Sequence, residues 1–277
     1  MSTPASLGRP SRYRRVVLDL APRGADRRVL QAAAELARLL DAELHAVFVE
    51  DAALAALVDN PFARELRLPT HEWQSVTGAA MAEDVRLAVA GAQREVEAVR
   101  AALGLRGDTE TRRGDPASLV ASLCLQTDIV VLAPPALAAE RALGPHARRS
   151  LALYRCAASV MLVPQMRSVR HGPVTVVAAK ADDPALELAA RIAARAGEEL
   201  LVLAPAVVLE ELARRSPEMH GRALAGQGGV DIHKALRGVS ARLLVMMRGT
   251  VLPDADATLL ALADENAVPV LALEPWA

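Results

Sequence analysis

Short apolar runs recur along this chain, alternating with longer stretches of helical periodicity. The runs are RVVLDL at 15–20, DIVVL at 128–132 and SVMLV at 159–163. A strand that is apolar at nearly every position must be covered on both faces. Such strands alternating with helices are the pattern of a parallel sheet between two helical layers. Right-handed crossovers then make the sheet doubly wound. The expected class is therefore α/β, with parallel doubly wound sheets.

The first helix is the clearest. Within 26–40, Val29, Leu30, Ala33, Leu36, Ala37 and Leu40 stand three and four residues apart and draw one apolar stripe. A second strand is expected at 43–49 (ELHAVFV), and an irregular excursion follows through Asn60-Pro61, Pro69 and Gly78, carrying Trp73. A helix over about 79–103, a strand at 108–112 and the turn Gly114-Asp115-Pro116 lead into a further helix. After 128–132 come a loop at 133–145, another helix to about Arg155 and the strand at 159–163.

The pattern then restarts. VTVVAA at 174–179 is strand-like, and Leu186, Ala189, Ala190 and Ala193 stand 156 positions after Leu30, Ala33, Ala34 and Ala37. Glu199 and Leu200 keep that offset from Glu43 and Leu44. Strands at 200–203, 241–247 and 268–273, with helices near 208–215 and 254–266, complete a second, shorter copy. The division is a leader at 1–14, a first unit at 15–166 and a second at 174–277, joined by the breaker-rich residues Gln165 to Pro173. The last strands of the two copies, 159–163 and 268–273, are apolar edges without gatekeeping charges, and are expected to pack against each other.

Composition narrows the function. With 32 basic and 33 acidic residues there is no field to gather nucleic acid or an anionic membrane. Arg9, Arg12, Arg14 and Arg15 precede an apolar run of only Val16 to Leu18, so neither a signal peptide nor a membrane insertion is expected, and the compartment is cytoplasmic. Cys124 and Cys156 form no CxxC and have no His at metal-ligand spacing, which reads as two reduced core thiols and no metal site. His220 and His233 are isolated. The chain has no Gly-x-Ser-x-Gly, Gly-x4-Gly-Lys-Ser/Thr, GxGxxG after the first strand, or HExxH, so it is not expected to be an enzyme.

Three features together resemble the universal stress protein family: VVLDLAP ending in Asp19, the turn Gly114-Asp115-Pro116-Ala117, and DIVVLAPP with the final strand SVMLVP. They span nearly all of 15–164, with a weaker echo over 174–274, as in a tandem protein with a degenerate second copy. In ATP-binding members the fourth strand runs into a glycine motif that wraps the phosphates, where backbone N–H groups approach and the next helix offers its N-terminus. Placed here without gaps, that motif falls on Ala133, Ala136, His146 and Ala147. Pro134, Pro135 and Pro145 also remove backbone donors.

The resemblance makes Asp19 and those four positions the cofactor-binding candidates, with no catalytic residue. Asp19 would stand at the carboxyl end of the first strand, and its counterpart in the second copy is expected near Ala178 or Ala179. A non-catalytic stress-response module follows, acting through dimerisation or docking on a protein partner and needing no cofactor. The alternative is a sensor that holds ATP, another adenine nucleotide or a small anion in the first cleft, with Arg141, His146, Arg148 and Arg149 nearby.

Overall fold

The computed structural model describes residues 12–20, 26–51, 64–67, 71–75, 78–115, 118–119, 122, 124–132, 156–165, 171–226, 228–250 and 255–275. Twelve strands and six helices lie within them. The strands are β1 (Arg15–Leu20), β2 (Glu43–Asp51), β3 (Arg64–Arg67), β4 (Glu72–Ser75), β5 (Thr109–Gly114), β6 (Asp128–Leu132), β7 (Ser159–Leu162), β8 (Val174–Val177), β9 (Leu200–Ala204), β10 (His220–Ala223), β11 (Leu243–Met247) and β12 (Val270–Leu273). The helices are α1 (Arg27–Leu40), α2 (Gly78–Leu103), α3 (Pro184–Ala196), α4 (Ala206–Arg215), α5 (Gly229–Leu236) and α6 (Ala255–Asn266).

Ten strands form one sheet in the order β10-β9-β8-β11-β12-β7-β6-β1-β2-β5. Every neighbouring pair is parallel except β12 and β7, which run antiparallel with Leu271 opposite Met161. Counted within each half, the strand order is the same, third-second-first-fourth-fifth, and the two last strands meet in the middle. The antiparallel joint inverts one half relative to the other, so the carboxyl ends of their strands point to opposite rims of the sheet.

Side chains alternate across the sheet as strand geometry requires. Val16, Leu18 and Leu20 point into a layer shared with α1, α2, α3 and α4, while Val17 points into the opposite layer with α5 and α6. The stripe on α1 is buried as its spacing predicts, with Val29, Leu30, Leu36, Leu39 and Leu40 at 3% exposure or less. Each such side chain contributes about 1.5–3 kcal/mol of transfer free energy.

The N-caps of α1 and α3 are of one kind, one position off the offset of 156. Asp26 accepts the Arg28 N–H at 2.9 Å, and Asp183 accepts the Ala185 N–H at 3.0 Å. At the other ends Asp41 (φ 56°) and Gly197 (φ 67°) take the left-handed conformation, again 156 positions apart. Across the joint, Arg195 of α3 donates to the Leu39 carbonyl of α1 at 3.2 Å. Arg242, 8% exposed, reaches both Glu35 of α1 and Glu198.

Two expectations change. The excursion around Trp73 is not wholly irregular, because β3 and β4 pair antiparallel as a separate two-stranded sheet with Leu66 opposite Trp73. In the second half, β10 and α5 are elements that the sequence pattern does not mark. Between Leu125 and Asp128 the chain is a turn running into β6, closed by the Asp128 N–H on the Leu125 carbonyl at 2.9 Å. Among the described residues no helix is long and apolar enough to cross a membrane.

Candidate functional site at the switch points of the sheet

In a doubly wound sheet a ligand crevice opens where successive connections leave in opposite directions. In the first half that point lies between β1 and β6, beyond their carboxyl ends. Asp19 is the second-last residue of β1, opposite Val47 of β2, while Leu18 lies opposite Val131 of β6. Its side chain is almost fully buried, at 4% exposure. A carboxylate therefore stands at the switch point, as expected.

Two strands out from β1, β5 ends at Gly114, and Asp115 accepts both the N–H and the hydroxyl of Ser118, at 2.9 and 2.8 Å. This is the Asp of the sequence turn, acting as a cap. Ala133, Ala136, His146 and Ala147 lie outside the described residues, as do Arg141, Arg148 and Arg149.

The second switch point is between β8 and β11, and the register corrects the sequence reading. Val177 pairs with Leu203 as Asp19 pairs with Val47, and 203 minus 47 is again 156. The counterpart of Asp19 is therefore Val177, not Ala178 or Ala179. The offset between the halves is 158 in the first strand, 157 at the helix cap and 156 in the helix body, so the strand slides against the helix although both connections span six residues. Val177 is 1% exposed, so an apolar core side chain replaces the carboxylate.

The connection after β8 is also closed on itself. The Asp183 carboxylate accepts the Ala179 N–H at 3.1 Å besides capping α3. Arg248, just after β11, turns to the joint between the halves. It donates to the carbonyls of Cys156 and Ala158 and pairs with Glu274 at 2.6 Å.

The ion pairs at the amino rim were not visible in the sequence. Asp128, fully buried at the start of β6, binds Arg15 through Nε at 3.0 Å and Nη2 at 2.6 Å, and accepts the Leu125 N–H at 2.7 Å. A charged residue opening an otherwise apolar strand was the available signal. Cys124 is buried nearby. Burial above all, then Cys156, Asp128 and Asp19, pushes its thiol well above the usual range, which fits an inert core thiol. Among the described residues no three His, Cys, Asp or Glu side chains gather as a metal site.

This architecture is shared with solved structures. A universal stress protein from Archaeoglobus fulgidus DSM 4304 superposes with a TM-score of 0.63 at 13% identity, over 93% of this chain and 98% of its own. The fold is the universal stress protein fold. A protein of unknown function from Pseudomonas aeruginosa PAO1 superposes with a TM-score of 0.55 at 16% identity, covering 99% of this chain and 95% of its own. A candidate universal stress protein from Pseudomonas aeruginosa UCBPP-PA14 gives 0.54 at 16%, covering 98% and 95%. No protein-family model and no curated protein matches the sequence. At these identities the likeness concerns the universal stress protein fold, and it runs through both halves.

Proposed function

We propose that this chain is a non-catalytic regulatory module of the universal stress protein type, made of two copies of one unit at 15–166 and 174–277. It acts in the cytoplasm by docking on a protein partner and has no working ATP phosphate loop. The repeated strand order and the offset of 156 shared by the body and C-cap of the first helix of each half support the two-copy reading.

The observation that carries the functional reading is Val177. In the second half a buried valine stands where a nucleotide-facing carboxylate would be, and Asp183 ties down the loop beside it. In the first half the sequence replaces the phosphate-wrapping glycines by Ala133 and Ala136 and adds prolines, which adds Cβ atoms and removes N–H donors. Pairing of β7 with β12 supports docking on another protein over dimerisation through the last strands, since those edges already satisfy each other.

A second reading is favoured by Asp19. A nearly buried carboxylate at a switch point suits a sensor for a nucleotide or small anion carried by that half alone. Isothermal titration with ATP, ADP and AMP separates the two. No saturable heat in the low micromolar range is expected, and no ATP turnover; tight binding abolished by Asp19→Ala would replace docking with sensing. Light scattering is expected to give the 29.3 kDa monomer.

A further inference from the structure

We propose that a hollow at the amino rim of the first half, away from both switch points, binds a small soluble diphosphate through Arg14, Arg106 and Arg195. The hollow has a volume of about 590 Å³, within the range of small-molecule sites. Its guanidiniums come from separate parts of the fold: Arg14 from the entry to β1, Arg106 from the α2–β5 connection, and Arg195 from the last turn of α3 in the other half.

The charge balance sets the ligand class. The other arginine in the wall, Arg15, is neutralised by Asp128, and the Glu43 carboxylate is bonded to His45 at 3.0 Å. Among the described residues Arg14, Arg106 and Arg195 form no ion pair, and the one side-chain bond they make there runs from Arg195 to the Leu39 carbonyl. Against these three stand the Asp41 and Glu43 carboxylates, which leaves a local excess of one positive charge. Like charges held together by rigid elements repel, and a polyanion relieves the repulsion.

Guanidinium forks match phosphate oxygens two at a time. The Arg14 main chain, bonded to the Thr127 carbonyl at 2.8 Å, holds the wall in place, and the Thr127 side chain adds a hydroxyl donor. Leu125, 58% exposed at this wall, gives an apolar contact for whatever carries the phosphates.

The test is isothermal titration of the full chain with inorganic pyrophosphate at low ionic strength. One saturable site is expected, weakened at least about tenfold by Arg14→Gln/Arg106→Gln and unchanged by Arg112→Gln/Arg113→Gln on the outer strand β5. All four side chains are exposed, so neither variant should affect folding. No saturable binding, or equal weakening by both variants, would overturn the proposal. ADP titrated into Asp19→Asn identifies the source of the phosphates. Binding tighter than pyrophosphate and lost with Arg14→Gln/Arg106→Gln means a nucleotide, and equal or weaker binding means free pyrophosphate. The Asp19→Asn background keeps this result independent of the nucleotide titrations above.

Discussion

Removing the carboxylate of Asp128 tests whether the amino ends of β1 and β6 are held by charge. Asp128→Ala deletes two bonds from Arg15 and one from the Leu125 N–H, all to a side chain with no exposure. Breaking a buried pair from one side costs about 3–5 kcal/mol, mostly through the partner left behind. Arg15 keeps 30% of its side chain exposed and can rehydrate in part, which puts the cost near the lower end, about 3 kcal/mol. For a chain of this size that lowers the thermal midpoint by about 6–12 °C.

The second variant distinguishes the mechanism. Arg15→Met/Asp128→Leu removes both charges and fills the space, and a buried pair replaced in this way is often neutral or stabilising. Calorimetry of the two variants is decisive. If Asp128→Ala shifts the midpoint by less than about 2 °C, or if the double variant is as unstable as the single one, the pair is not what secures this rim.

Gly107 has φ 148°, and a Cβ there would lie 1.9 Å from the Leu44 carbonyl oxygen, so Gly107→Ala should cost at least about 2 kcal/mol in chemical denaturation. The Asp26 carboxyl is held below its ordinary range chiefly by the Arg28 side chain. Its contribution is therefore present above the unfolded value near pH 4 and lost as pH falls through the depressed one. Asp26→Ala should destabilise by about 1 kcal/mol at pH 7, and melting curves of variant and parent should converge as the pH falls through that depressed value. Cys124 should resist iodoacetamide in the folded protein and react only in denaturant, as read by mass spectrometry; labelling in native buffer as fast as at the half-exposed Cys156 would refute the core reading.

Local pattern carried most of the fold. Strands buried on both faces announce themselves by being apolar throughout, and α1 and α3 announce themselves by their stripes. β10 could not be read this way. His220 to Ala223 are all exposed, and they are a strand because Gly221 and Arg222 sit beside Val202 and Leu203 of β9. Asp19 was legible from its place at the end of an apolar run, whereas Val177 was not, because the offset between the halves falls from 158 in the strand to 156 in the helix body. The pairs Arg15–Asp128 and Glu35–Arg242 join residues 113 and 207 positions apart, distances at which no spacing rule operates.

The antiparallel joint of β7 and β12 has a consequence for how the molecule responds to dilution. A sheet completed by two separate chains loses its central pair as concentration falls, because association follows mass action. Here the residues between Gln165, whose N–H is bonded to Asp264, and His171, bonded to Glu198, carry the chain from one half to the other, so both ends of the connector are anchored on the second half. A connector this short holds the partner strand at an effective concentration in the millimolar range. The ten-stranded sheet should then be as complete at nanomolar as at millimolar protein.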